Sequence, residues 1–238
     1  MTNAGYALIT FCVAYLIGSI PFAYIIVRVV TGEDITTHGT GNVGAMNVRR
    51  STGSWGWFVV AMVADAFKGL VPVAIAKSGI GIVAGAASVA IPWGQQLATI
   101  SSVWWHNPVL WIPQVAVAGC VLGHNYSLWM AVLKRRFHRT GKGLATGGGA
   151  LLAYDWRYFV AVVVVGLTVI ALTRYMMAGQ VAAALTLPVA ALLLHSPDWL
   201  FATIMGAVVY AAHHKRFRGL LRGHEPRLYV NDRMGPRG

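Results

Sequence analysis

The sequence predicts an all-α fold, a polytopic integral membrane helical bundle of about seven transmembrane helices. The first reason is composition: 57% of the 238 residues are hydrophobic and only 11% are charged, against about 25% charged residues in a soluble domain. The second reason is patterning, because the charges lie between long apolar runs and in the C-terminal segment. A helical span needs roughly 20 apolar residues, so the chain has room for about seven spans and for no separate soluble domain.

Seven apolar runs are the predicted spans: 6–30, 55–77, 108–133, 143–155, 157–175, 177–195 and 198–213. The run 143–155 is short and glycine-rich at its start, and we expect it to enter the membrane obliquely and to pack against protein instead of lipid. Residues 79–106 form a predicted insertion, either lateral or re-entrant, or an extra pair of short spans. The chain is then one domain, 1–238, with this insertion and with a basic cytoplasmic tail over 214–238.

Basic residues set the predicted orientation. With seven spans, the N-terminus outside and an even number of crossings in the insertion, 16 of the 19 Lys and Arg residues lie on the inner side. Lys77 and Arg157 lie outside, and Lys68 falls within a span. Cytoplasmic loops of membrane proteins carry such an excess of Lys and Arg, so we predict an outside N-terminus and a cytoplasmic C-terminus.

The net charge of +12 does not indicate a nucleic-acid partner, because the positive-inside pattern already explains the basic residues. Cys12 and Cys120 lie in different apolar runs, and neither has a CxxC partner or a His at metal-ligand spacing. Disulfide and metal roles are therefore not expected.

The first inner loop, HGTGNVGAMNVRR over residues 38–50, combines the features of an anion site. Its glycines allow backbone N–H groups to approach an anion. Hydrogen-bonding and charged groups are also present: Thr40, Asn42, Asn47, Arg49 and Arg50. We expect the next helix, with Ser51, Thr52 or Ser54 as its cap, to point its positive end at this loop. The alternative is a flexible turn with stop-transfer arginines.

The same loop matches the GxGxxG pattern over residues 39–44. A dinucleotide site would need a preceding strand and a soluble βαβ unit. Here a membrane helix precedes the loop, and the acidic residue about 20 positions further on, Asp65, lies in an apolar span. A dinucleotide site is therefore excluded.

The second inner segment, RTGKGLATGGG over residues 139–149, resembles half of a Walker A loop. Arg136 stands where the first glycine belongs, and Gly143 replaces the metal-binding Ser or Thr, so nucleotide hydrolysis is not indicated. Lys142 in a glycine-rich turn beside a helix start still predicts a phosphate site. The alternative is a basic loop followed by a helix-packing glycine run.

Four further features are weaker signals. Arg174, at the inner end of a span, fits an interfacial snorkelling residue, and residues 213–225 fit a polybasic juxtamembrane helix attracted to anionic lipid. Asp65 and Lys68 lie three residues apart on one helix face, which predicts a structural ion pair near the inner end of the span. His124 is expected to have a hydrogen-bonded packing role or to bind a partner loop.

The sequence has no HExxH, no GxSxG and no His followed five positions later by Asp. The usual base-driven and metal-driven catalytic mechanisms therefore lack their residues.

These segments together resemble one family, the acyl-phosphate-dependent glycerol-3-phosphate acyltransferases of bacteria (PlsY). The matching stretches follow the family's order: residues 18–24, 39–50, 65–69, 123–124, 141–146, 173–175 and 213–225. The resemblance implies a seven-span enzyme of the bacterial inner membrane with its active site at the cytoplasmic face. It implies acyl transfer from acyl phosphate to the 1-hydroxyl of glycerol 3-phosphate, without cofactor, giving lysophosphatidic acid and phosphate. Its partners would be these substrates and membrane lipids.

The resemblance also implies the site residues. Phosphate binding maps onto Thr40, Gly41, Asn42, Gly44, Asn47 and Arg174, and the catalytic cations map onto Arg50, Lys142 and His213. The chain departs from the usual family residues at five positions: Thr40 for Ser, Met46 for Thr, Thr140 for Gly, Met177 for Ser and Arg216 for Asn.

The working hypothesis needs no enzyme base, because acyl phosphate is already activated and the acceptor's own phosphate can take the hydroxyl proton. The protein would supply proximity and charge through its cations. Two other classes remain open, a transporter or channel for an anionic metabolite and an inactive lipid-binding relative.

Overall fold

The computed structural model describes residues 3–83, 108–196 and 198–223, and in these ranges the regular structure is helical. One 3-10 turn, Ile35–Thr37, lies between the second and third helices. In chain order the helices are α1 Asn3–Gly18, α2 Phe22–Thr31, α3 Ala45–Thr52, α4 Trp55–Val83, α5 Pro108–Asn125, α6 Leu128–Lys134, α7 Leu144–Tyr154, α8 Trp156–Thr173, α9 Met176–Leu193 and α10 Trp199–Leu221.

Five segments of the described chain are long and apolar enough to cross a bilayer: Ala4–Thr31, Trp55–Ser78, Trp111–Lys134, Trp156–Thr173 and Met176–Leu193. They coincide with five of the seven predicted spans. The other two predicted spans coincide with shorter apolar helices, Leu144–Tyr154 and Trp199–Ala211. The prediction of an all-helical, polytopic membrane protein is confirmed.

Two of the predicted spans are each broken into two helices. The run 6–30 is interrupted between α1 and α2 at residues 19–21, where Pro21 has no N–H to continue a helix. The run 108–133 is interrupted between α5 and α6, and Ser127 caps the new helix by accepting a hydrogen bond from Met130 N at 3.1 Å. Hydropathy alone does not reveal either break.

The two breaks face each other and exchange hydrogen bonds. Ser127 Oγ donates to the Ser19 carbonyl at 2.5 Å, and Leu128 N donates to Ser19 Oγ at 3.3 Å. The Ile20 carbonyl accepts a hydrogen bond from Lys68 Nζ at 2.8 Å. In a bilayer a backbone group without a partner costs several kcal/mol, so these side chains satisfy the groups that the breaks release.

Glycines bring the helices close together. A Cβ at Gly18 of α1 would overlap the backbone of Cys120 in α5, and a Cβ at Gly149 of α7 would overlap the Ala66 carbonyl in α4. Small residues at such contacts let membrane helices pack through their backbones. The expectation that 143–155 packs against protein is confirmed, since Ala150 is fully buried; this helix is α7, Leu144–Tyr154.

The last three helices form an antiparallel layer in which α9 contacts both α8 and α10. Gly206 of α10 packs on the Ala184 carbonyl and on Pro188 of α9. Because the two helices run in opposite directions, His213, seven residues after Gly206, lies level with Met177, seven residues before Ala184.

The predicted insertion and tail lie only partly in the described chain. α4 continues to Val83, and residues 84–107 lie outside the described residues. α10 continues to Leu221, so the tail begins as a helix, and residues 224–238 lie outside the described residues.

Gly149→Ala is expected to destabilise the protein by about 1–3 kcal/mol, because the new methyl group must displace α4 backbone. Thermal unfolding in detergent measures the change. Gly148→Ala is the matched control, since its Cβ would meet nothing closer than Phe159 Cε2 at 3.8 Å and Ala favours helix. Equal loss of stability in both variants would contradict the packing described.

Candidate active site

The first loop is built around the side chain of Asn47, at the start of α3. Its Nδ2 donates to the carbonyls of Ile35 and His38, both at 3.0 Å. Gly39 lies directly against this side chain and has a φ of 49°, and a Cβ there would overlap Asn47 Oδ1 and come within 3.0 Å of Arg50 Cδ. The loop therefore requires glycine at this position.

This geometry gives Asn47 a different place from that of the other predicted phosphate ligands. Both of its amide hydrogens are used inside the loop, whereas Thr40 is exposed and Asn42 is half-buried. α3 begins directly after Gly44 without a side-chain cap, so first-turn N–H groups adjoin the loop. The helix end that faces the loop is thus the start of α3, and not the start of the helix capped by Ser54 as expected from the sequence. Ser54 caps α4 by accepting a hydrogen bond from Trp57 N at 3.3 Å.

The second loop runs back from the end of α6 to the end of α5. Thr140 N donates to the Asn125 carbonyl at 2.8 Å, and Thr140 Oγ1 donates to the His124 carbonyl at 3.1 Å. The same hydroxyl accepts a hydrogen bond from Ser127 N at 3.3 Å. Thr140, where the resembled family has Gly, thus satisfies backbone groups released by the break between α5 and α6.

A backbone hydrogen bond joins the two loops. Val43 N donates to the Thr140 carbonyl at 2.8 Å, and both residues are buried. Asn42 and Gly44 therefore flank one partner of this bond, and Lys142 follows two residues after the other. The structure brings the two predicted phosphate loops together.

A second contact fixes the other end of the first loop. Asp34 forms an ion pair with Lys134 at the end of α6. Burial alone would raise the pKa of Asp34, but hydrogen bonds from Lys134 and Thr36 outweigh it and hold that pKa below its usual value. Asp34 stays ionised at neutral pH and gives Lys134 a counter-ion within the protein.

The two arginines of the first loop have different surroundings. Arg49 is buried, and its Cζ lies 4.1 Å from the centre of the Trp55 ring, a cation–π contact. Arg50 is half-buried, with its aliphatic part against Gly39. Arg50 is therefore the arginine that borders the predicted anion loop.

His213 and Arg174 lie at the same end of the helical layer as Lys142. Consecutive helices from α7 to α10 are joined by short connections and alternate in direction, so the start of α7, the end of α8 and the last turns of α10 share one end. His213 is buried, and its Nδ1 donates to the Val209 carbonyl at 2.7 Å. Arg174 is exposed and ends α8 with a φ of 61°.

Sequence reasoning did not identify Ser19, Ser127 and Thr140 as structural parts of the site. Their hydroxyls connect α1, α5 and the second loop. For Ser19 and Ser127 the available signal was a polar residue within an apolar run, two residues before Pro21 in the first case and directly after Tyr126 in the second.

Comparison with known proteins identifies the family. The sequence model of the family described as Glycerol-3-phosphate acyltransferase matches residues 8–223. The chain belongs to this family. A glycerol-3-phosphate acyltransferase of Thermus thermophilus is 35% identical over 221 residues, which cover 92% of this chain and 94% of the relative.

Two crystal structures of PlsY, an integral membrane glycerol 3-phosphate acyltransferase, have the same fold. The glycerol 3-phosphate form has a TM-score of 0.74 at 26% identity and covers 94% of this chain and 96% of its own. The lysophosphatidic acid form has a TM-score of 0.72 at 25% identity, with the same coverage. The family resemblance seen in the sequence is confirmed, and the protein is a membrane acyltransferase.

Gly39→Ala is expected to lower the acyltransferase rate at least about tenfold, because Asn47 cannot move aside without losing hydrogen bonds to the loop. Gly32→Ala is the matched control: Gly32 also has a positive φ, 72°, but a Cβ there would meet nothing within 4 Å. Steady-state rates of the two purified variants check the prediction, and equal rates would contradict it.

Proposed function

We propose that the protein transfers an acyl group from acyl phosphate to the 1-hydroxyl of glycerol 3-phosphate, giving lysophosphatidic acid and inorganic phosphate. Family membership supports the acyl transfer, and the PlsY relative has a glycerol 3-phosphate form. The observation that carries the proposal is the Val43–Thr140 hydrogen bond. It joins two glycine-rich loops, each bearing a cation suited to a phosphate group.

The first loop holds the phosphate group of one substrate, and the cationic side chains stabilise the phosphate groups of both substrates. The start of α3 suits an anion, because first-turn N–H groups of a helix lack the usual helical partner. The N–H groups of Gly41 and Gly44 donate to the His38 and Asn42 carbonyls, so these glycines contribute by shaping the loop. Side chains that assist phosphate binding are Thr40, Asn42 and Arg174. Asn47 contributes by shaping the loop, since its amide donors are used there. Arg50, Lys142 and His213 offset the repulsion between two phosphate groups and stabilise the negative charge of the transition state.

The reaction then needs positioning more than acid–base groups. The 1-hydroxyl oxygen attacks the acyl carbon, its proton passes to the acceptor's own phosphate, and the bond from the acyl carbon to the donor phosphate oxygen breaks. Holding the two substrates in line lowers the activation barrier, because the entropy cost of bringing them together is met on binding. His213 has Nδ1–H bound to Val209, so Nε2 is the atom through which it can reach substrate.

We also propose how the chain crosses the membrane and in which membrane it lies. α7 and α10 complete seven spans, with an outside N-terminus, a cytoplasmic C-terminus and the active site at the cytoplasmic face of a bacterial inner membrane. Support comes from the 16 of 19 Lys and Arg residues assigned to the inner side. The whole chain, 1–238, is one acyltransferase domain with an insertion over 79–106 and a basic tail over 214–238.

An apolar groove offers a place for the acyl chain. It has a volume of about 410 Å³ and lies between the α1–α2 break and α6, lined by Ile20, Pro21, Tyr24, Ile25, Trp129, Val132 and Leu133. Its base adjoins the break whose carbonyls bind Ser127 and Lys68. A chain in this groove would lie in contact with lipid while its phosphate stays at the loops.

Lys142→Ala is expected to abolish transfer, because it removes a cation from two adjacent phosphate groups. Product formation from acyl phosphate and glycerol 3-phosphate in detergent measures this. Lys77→Ala is the matched lysine control, since Lys77 binds the Ala153 and Tyr154 carbonyls at the far end of α7. Near-normal turnover of Lys142→Ala in folded protein would exclude the assignment.

Val132→Trp is expected to reduce use of long acyl chains more than short ones, because the indole fills part of the groove. Rates with acyl phosphates of increasing length check this. Val164→Trp on α8, another exposed valine, should leave the chain-length profile unchanged. An unchanged profile in Val132→Trp would place the acyl chain elsewhere.

A further inference from the structure

Three buried side chains that can carry charge meet beneath the second loop. Lys68 Nζ lies 2.8 Å from Asp65 Oδ1, which is the ion pair expected from the sequence. His124 Nδ1 lies 3.8 Å from the same carboxylate oxygen. Exposures are 2% for Asp65, 5% for Lys68 and 7% for His124. A His and an Asp thus come together from α5 and α4, although no sequence motif pairs them.

One side of this cluster holds the α1–α2 break. Besides its ion pair with Asp65, Lys68 Nζ donates a hydrogen bond to the Ile20 carbonyl at 2.8 Å. Its ammonium group therefore has partners on α4 and on the break, which fixes its position along the helix. Asp65 is held in turn by Lys68, so its carboxylate has a defined place opposite the His124 ring.

The other side of the cluster supports the second loop. Gly141 packs so closely on the His124 ring that a Cβ there would overlap Cδ2 and Nε2. The His124 carbonyl also accepts the Thr140 hydroxyl at 3.1 Å. Lys142 is bonded directly to Gly141, so the His124 ring limits the positions that the Lys142 backbone can take.

Energetics indicates that this cluster has a role beyond stability. Replacing a buried ion pair by apolar residues of similar size is often neutral or stabilising, and ionisable groups within membrane helices are usually functional. His124 Nδ1 has no hydrogen-bond partner among the described residues, so the nearby carboxylate is the polar group that can orient its ring. An apolar pair would fill the same space, but it would neither orient the ring nor bind the Ile20 carbonyl.

We propose that Asp65, Lys68 and His124 are positioning residues for acyl transfer, which set the place of Lys142 through the contact between the His124 ring and Gly141. This inference rests on the proposed function, in which Lys142 binds substrate phosphate. It assigns no contact between the cluster and substrate.

The test replaces the ion pair by apolar residues of similar size, Asp65→Leu with Lys68→Met, in the full-length protein in detergent. The melting temperature should fall by several degrees, because Lys68→Met also leaves the Ile20 carbonyl without its partner. KM for at least one phosphate substrate should rise about tenfold or more, because a displaced Lys142 loses a charge-assisted contact. KM does not depend on the active fraction of the preparation, so partial unfolding cannot produce this result.

The control removes an ion pair at the other end of α7, Asp155→Asn with Arg157→Gln, and should leave both KM values unchanged. If the first double variant does not fold, His124→Leu gives the same test, since it leaves Asp65 and Lys68 paired. KM values within about twofold of wild type in a folded variant overturn the inference. Absence of transfer by wild type would instead reject the proposed function.

Discussion

Every backbone polar group within the bilayer must find a partner inside the protein, and this constraint shapes the site. Two membrane helices are broken at neighbouring points, between α1 and α2 and between α5 and α6. The carbonyls released there are bound by Ser127, Lys68 and Thr140. To bring Thr140 to that point, the second loop must return into the bundle, and Val43 then ties the first loop to it. The two predicted phosphate loops meet because broken helices require partners.

The sequence predicted the spans well and their interruptions not at all. Apolar length is averaged over about 20 residues, so one polar residue in a run, such as Ser127, leaves the average unchanged. The Asp65–Lys68 pair was predictable because it depends on spacing within one helix. The contact of His124 with Asp65 depends on how α5 packs on α4, which no local pattern contains.

The candidate site was predictable as residue types but not as roles. Glycines, amides and cations in the first loop indicated anion binding, and family resemblance assigned the positions. The hydrogen bonds of Asn47 within the loop depend on where the Ile35 turn lies, and sequence spacing does not give that. Thr140 and Met177, two departures from the family pattern, are both buried. The Thr140 hydroxyl binds backbone groups at the break between α5 and α6. Met177 lies level with His213 in the α9–α10 layer.

In the proposed mechanism, Lys142 contacts a substrate phosphate group that the first loop holds. Solid-state NMR of the protein with bound glycerol 3-phosphate can detect this contact. The quantity measured is the dipolar coupling between phosphorus-31 and lysine side-chain nitrogen-15. We expect one lysine signal to show coupling at the strength of a direct contact, with a nitrogen–oxygen separation of about 2.8 Å, and to disappear in Lys142→Arg. Coupling to a lysine other than Lys142, or to none while the ligand is bound, would show that Lys142 does not contact the phosphate group.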